Sequence, residues 1–167
     1  FLYFSLVVSK SNLIQSLVSG VLFHGIYLGG VFYSVSVGMP TGIAALIVTL
    51  QPILTNILAG PILKENVSYH QWIGILLGFL GATLVLGFDI GKNIPFDGVI
   101  ATIISLVSIT SATIWQKKIS NNLPLETSNT YQAIGGCLFH ILIIVFVTQF
   151  QINFSFTFIA AMSHQVL

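Results

Sequence analysis

Tyr69-His70-Gln71-Trp72-Ile73-Gly74-Ile75-Leu76-Leu77-Gly78-Phe79-Leu80-Gly81-Ala82-Thr83-Leu84-Val85-Leu86-Gly87-Phe88 contains no aspartate, glutamate, lysine or arginine. A helix needs about 20 such residues, at about 1.5 Å each, to cross about 30 Å of hydrocarbon. Charged residues stand on both sides of the run, Lys64 and Glu65 before it and Asp89, Lys92 and Asp97 after it. An ionised side chain at the bilayer centre costs about 2.5 to 3.5 kcal/mol on the insertion scale, so charge belongs in the connections between crossings.

The rest of the chain repeats this pattern. The remaining charged positions are Lys10, Lys117, Lys118 and Glu126, and long neutral stretches lie between the groups. Five complete spans follow: A, Asn12 to Val37; B, Met39 to Leu63; C, Tyr69 to Phe88; D, Gly98 to Trp115; and E, Tyr131 to Phe150. A and B are separated by the turn signal Gly38-Met39-Pro40. The composition agrees, being 55% hydrophobic and 5% charged, where a soluble domain carries about 25% charged residues. The fold class predicted is an all-α membrane protein, a multi-span transmembrane helix bundle whose first partner is the lipid bilayer.

Composition also excludes function classes. A net charge of +1 offers no basic field for nucleic acid. Cys137 stands alone, which rules out an intrachain disulfide framework. There is no Gly-rich loop ending in Lys-Ser or Lys-Thr to bind ATP, and no His-Glu-x-x-His metal motif. Neither a cofactor nor a metal is expected. Phe1 to Ser9 lacks the charged start and small-residue cleavage site of a secretory signal. The chain opens and closes within apolar runs, Phe1 to Ser9 and Phe154 to Leu167, and is read as an internal fragment whose remaining helices belong to the same polypeptide.

Alternation of the spans places Lys10, Lys64, Lys117 and Lys118 on one side, with Lys92 on the other. The positive-inside tendency makes the lysine-rich side cytoplasmic. Tyr69, Trp72 and Trp115 fall near cytoplasmic span ends, where amphipathic rings favour the interface.

Within the spans, Gly74 and Gly78 lie four residues apart, with Gly81 on a neighbouring face, a pattern that admits a second helix backbone. Pro52 lies inside span B and removes a backbone hydrogen bond to Val48, so a kink or local opening is expected. Gln51, Thr55 and Asn56 surround it, and polar side chains beside loosened backbone are how secondary carriers build a substrate site; a kink that only shapes the bundle is the alternative. Span D carries a hydroxyl stripe, Thr102, Ser105, Ser108, Thr110, Ser111 and Thr113, which either bonds back to its own helix or lines a hydrated path into Trp115 and Gln116. His24 and His140 are the titratable side chains deep inside complete spans, as proton carriers, substrate contacts or neutral interhelical partners.

Gly38-Met39-Pro40-Thr41-Gly42-Ile43-Ala44-Ala45-Leu46, then Leu50-Gln51-Pro52-Ile53-Leu54-Thr55, Lys64-Glu65-Asn66-Val67 and Gln71-Trp72-Ile73-Gly74 with Gly78 and Gly81 resemble the EamA-type branch of the drug/metabolite transporter superfamily. Thr110, Thr113, Gln116-Lys117-Lys118 and Gln132 resemble the sixth and seventh helices of one bacterial subgroup. The resemblance implies part of a ten-helix inverted-repeat transporter with both termini cytoplasmic. Residues 1–88 would then be the later part of the first repeat (end of helix two, helices three to five), 89–97 an outer loop, and 98–167 the start of the second repeat (helices six and seven and the start of eight). Where the family has Gly-Glu-Arg after its fourth helix, this chain has Lys64-Glu65-Asn66, which keeps the acid and drops the arginine.

The function implied is a secondary permease in the bacterial inner membrane, exporting small metabolites such as amino acids or drugs by alternating access. Small-molecule substrates, and protons as a coupling ion, are the partners implied; an oligomer is compatible with this reading. Candidates for the substrate pathway are His24, Tyr33, Gln51, Pro52, Thr55, Trp115 and Gln132, with Glu65 as a coupling or helix-end acid. Two rivals are a non-transporting helper subunit, against which the mid-span proline and hydroxyl stripe stand, and an intramembrane enzyme, for which no convergent acids or paired histidines are present.

Overall fold

The computed structural model describes residues 9–64, 68–86, 94–119 and 123–147. Among these, every regular element is helical. The first crossing, Lys10–Ser36, is built from α1 (Lys10–Gly20), a π-helical segment (Val21–Tyr27) and α2 (Leu28–Ser36) in direct succession. The second, Thr41–Leu63, is divided into α3 (Thr41–Val48) and α4 (Gln51–Leu63). Then come α5 (Tyr69–Leu86), α6 (Phe96–Ile119) and α7 (Leu125–Val147). Four of these crossings are long and apolar enough to span a bilayer, and α5, with 18 residues, is a shorter apolar helix.

Local chemistry sets the boundaries. Gly38 adopts φ 96°, a left-handed conformation that suits a residue without Cβ, and Pro40 caps α3 with its extended ψ of 127°. Met39 N donates to Ser34 O at 3.0 Å, which folds the second crossing back on the first. Lys64 ends α4 in the left-handed region, φ 55°. Asp97 and Glu126 lie in the first turns of α6 and α7, and Lys117 and Lys118 in the last turn of α6, each matching the helix dipole.

The interruption near Pro52 lies just before the proline. The α-helix ends at Val48 and restarts at Gln51, so Pro52 occupies the first turn of α4, where the N–H it lacks would have no partner within α4. Thr49 closes α3 from within, its hydroxyl lying 2.8 Å from both Ala45 O and Leu46 O. The π segment is unannounced by any proline. Its wider turn leaves a spare carbonyl, and Ser108 of α6 donates to Leu22 O at 2.9 Å. The interruption in the first crossing is thus stabilised from a neighbouring helix.

Helix α6 is the centre of the bundle: 56% of its most apolar window is buried, against 11% for Thr41–Leu63. The first crossing packs along it on one side and α3 and α4 on the other, while α7 lies against α1 and the π segment. Small residues let these backbones approach. A Cβ on Gly20 would overlap the Gln132 backbone, one on Gly135 the Leu17 carbonyl, and one on Gly30 the Ser105 hydroxyl. A Cβ on Gly74, Gly78 or Gly81 would meet nothing within 4 Å, so α5 is not closely packed there; Gly74 and Gly78 face Pro52 and Asn56 across an open crease. The outward side chains, among them Phe32, Leu84, Val85 and Phe146, are large, apolar and exposed, as lipid-facing positions should be.

Candidate functional site

Two of the grooves among the described residues border the first crossing. The first, about 580 Å³, lies between the first crossing and the divided second one, lined by Tyr27, Phe32, Val48, Thr49, Gln51 and Pro52 among others. The break between α3 and α4 turns Gln51 towards α6, where its Nε2 donates to Thr113 Oγ1 at 3.1 Å. Thr113 passes its own proton to Ile109 O at 2.8 Å, so its oxygen is committed on both sides. One turn along α4, Thr55 Oγ1 is buried and has no hydrogen-bond partner among the described residues. A buried hydroxyl without a partner costs about 1 to 3 kcal/mol, which makes it a place where a polar guest gains. Asn56 donates to Pro52 O at 2.8 Å and faces an adjoining crease of about 590 Å³ shared with Gln71 and Gly74.

The second groove, about 600 Å³, lies between the first crossing, α6 and α7. Tyr33, Asp97 and His140 are its polar lining, and Ile26, Ile104 and Phe139 are among its apolar walls. His140 Nδ1 lies 2.9 Å from Gly136 O of its own helix; since a carbonyl only accepts, Nδ1 carries the proton and Nε2 is left as an acceptor in the neutral ring.

The candidates named from sequence therefore divide among separate places. Gln51 and Pro52 share the first groove, with Thr55 one turn beyond them. Tyr33 belongs to the second. His24 packs by its Cβ against Gly136, its ring edge-on to Phe23 at 5.0 Å. Gln132 is buried in the contact between α1 and α7 and donates to Ser128 Oγ at 3.0 Å, which in turn lies 3.5 Å from Ser16 Oγ. Trp115 is exposed on α6, and Glu65 lies outside the described residues. The hydroxyl stripe of α6 is largely inward: Thr102, Ser105 and Thr110 are buried, and each donates to the carbonyl four residues earlier. Of the two readings open for that stripe, back-bonding accounts for these three.

Sequence reasoning missed Thr113 as the partner of Gln51 and Asp97 as a groove residue. Thr113 was visible in the stripe, but nothing in the stripe says which hydroxyl meets α4. Asp97 reads as a loop charge until α6 is seen to begin at Phe96. Among the described residues no group of His, Cys, Asp or Glu is placed to hold a metal.

The sequence profile of the EamA-like transporter family matches residues 1–87. The chain is 30% identical over 106 residues to the uncharacterized transporter YvbV of Bacillus subtilis, which covers 64% of this chain and 33% of that protein. To the uncharacterized transporter YyaM of the same organism it is 27% identical over 154 residues, 84% of this chain and 47% of the relative. To a protein of Salmonella typhimurium named "Probable amino-acid metabolite efflux pump" it is 28% identical over 94 residues, 56% and 31% of the two chains. It thus spans less than half the length of these relatives. No solved structure matches it significantly. The apolar crossings, the divided second span and the matched profile agree: this is a multi-pass membrane chain, and it belongs to the EamA-like transporter family.

Proposed function

We propose that the complete protein is a secondary carrier that exports small metabolites, amino acids or drugs among them, across the bacterial inner membrane by alternating access. The family supports the class, and the Salmonella relative named as an amino-acid metabolite efflux pump supports the substrate type. The observation that carries the reading is the interrupted second crossing, where Gln51 is held by Thr113 beside the unpartnered hydroxyl of Thr55. Carriers bind substrates where spanning helices are broken, because polar side chains and released backbone groups meet there at membrane depth. A polar substrate group can take over the Gln51 to Thr113 bond and satisfy Thr55, coupling occupancy to the position of α4 relative to α6. The apolar wall of Tyr27, Phe32 and Val48 suits a substrate with an apolar body.

In this reading the lysine-bearing ends face the cytoplasm, and the chain supplies the later part of one repeat and the start of the next in a ten-helix inverted pair. His24 stays a candidate of the substrate pathway, Glu65 is a coupling or helix-end acid, and Gly74, Gly78 and Gly81 are helix-packing positions. Replacing Gln51 and Thr55 by alanine in the complete protein should reduce efflux from proteoliposomes at least about fivefold, the value of one hydrogen bond of about 1 kcal/mol, with protein abundance unchanged. Transport at the original rate would remove both residues from the pathway, and a complete protein that moves no substrate in proteoliposomes would favour a helper role.

A further inference from the structure

The second groove is not used by this reading, and its chemistry is different. Along the first groove no charged side chain is present in the lining, whereas the second has a carboxylate at one end. Asp97 is the second residue of α6, and Tyr33 stands three residues before the end of α2, so both lie at the same membrane face. His140 is seven residues before the end of α7, about 10 Å deeper. The walls between these depths, Ile100, Ile104, Phe139 and Ile143, are apolar. Lys10, Lys64, Lys117 and Lys118 stand at the opposite ends of their crossings. Asp97 and Lys117 are separated by the length of α6, about 30 Å. Among the described residues no lysine or arginine therefore lines the groove with Asp97; Lys92, the one lysine at that end of the crossings, lies outside the described residues.

Gly29 keeps the groove open. A Cβ there would meet only His140 Nε2, at 3.9 Å, so the space above it belongs to the groove and not to a neighbouring side chain. By contrast, Gly25 and Gly30 are spent on close contact with Phe139 and with Ser105 and Ala101.

We infer that this groove binds a small amphipathic amine. The ammonium group sits at Asp97, the apolar body lies along Ile100, Ile104 and Phe139, and Tyr33 lends its ring face to the cation. Charge complementarity selects a cation over an anion, and the apolar walls select it over a hydrophilic polyamine. The volume, about 600 Å³, lies within the range of small-molecule sites. A ligand long enough to reach His140 can donate to Nε2, the atom that borders the space above Gly29.

The test uses the complete protein in phosphatidylcholine nanodiscs, with phenethylamine as probe, 2-phenylethanol as its neutral counterpart, and empty nanodiscs to subtract partition into lipid. Phenethylamine should bind saturably and 2-phenylethanol should not. Asp97→Asn should weaken binding at least about tenfold, as expected for loss of a charged hydrogen-bond partner, with an unfolding temperature close to that of the parent. Gly29→Leu, whose Cβ would meet no neighbour's backbone, should abolish binding by filling the groove, and it asks the same question if Asp97→Asn does not accumulate. Gln51→Ala should leave binding intact, so failure of this site and failure of the export pathway are read separately. Equal binding of amine and alcohol, or unchanged affinity in Asp97→Asn and Gly29→Leu, would overturn the proposal and leave Asp97 as a helix-terminal charge only.

Discussion

In α1, Ser16 and Gly20 lie four residues apart and are buried against Ser128, Gln132 and Gly136 of α7; in α5, Gly74 and Gly78 have the same spacing and touch nothing within 4 Å. The first pair belongs to a seam in which a hydroxyl faces a hydroxyl and a glycine faces a backbone. The second pair is equally capable of such contact but lies across an open crease from Pro52 and Asn56, with no close approach among the described residues. Small residues at this interval record that a backbone can be approached, while the approaching helix has to be supplied separately.

The seam is the easiest side of this comparison to break. Gly20→Leu drives a side chain into the Gln132 backbone and should cost about 3 kcal/mol, the upper end of the usual penalty for overpacking, read as a lower unfolding temperature in detergent. A Ser16→Cys, Ser128→Cys double variant should form a disulfide on mild oxidation, since the two hydroxyl oxygens lie 3.5 Å apart. Adding Gly20→Leu should abolish that cross-link, and a cross-link that persists would mean that the close approach is not needed. Gly78→Leu sharpens the other side: in the complete protein it should cost about 1 to 2 kcal/mol if a helix from the remaining polypeptide packs on that face, and a neutral result would leave the crease between α5 and α4 open. Ser108→Ala removes the hydrogen bond to Leu22 O and should cost about 1 kcal/mol or less, with faster amide exchange across Val21–Tyr27 as its local signature. The smallest effect is expected for Thr110→Val, within about 0.5 kcal/mol, because that hydroxyl only doubles a bond its own helix already makes.

The crossings were legible because lipid enforces a simple rule on charge. Lysines and acids marked the ends of each span, and the expected first and second crossings, Asn12 to Val37 and Met39 to Leu63, correspond to Lys10–Ser36 and Thr41–Leu63. The break in the second crossing was visible through Pro52, within a few residues. The π segment was not, because the hydrogen bond that supports it comes from Ser108, distant in sequence on α6. The candidate site was less legible than the fold. Polarity inside a span marks side chains that need partners, yet Gln132 finds its partner at Ser128 and Gln51 at Thr113, and no local pattern separates a seam from a groove. Asp97 was assigned to a loop on the strength of its charge, which is why its place in a groove needed the helix boundary.

The contact between α1 and α7 has a mechanical consequence. It joins the earlier and later portions of the chain through interlocked backbone, so any rocking of one against the other as rigid blocks would have to part that zipper during every cycle. The divided crossing carries no such interlock: α4 is joined to α3 through the two-residue break at Thr49 and Leu50, where a hinge would part fewer backbone contacts. Under the carrier reading proposed above, α4 is the element expected to move, and its hydrogen bond to Thr113 is a contact it would give up.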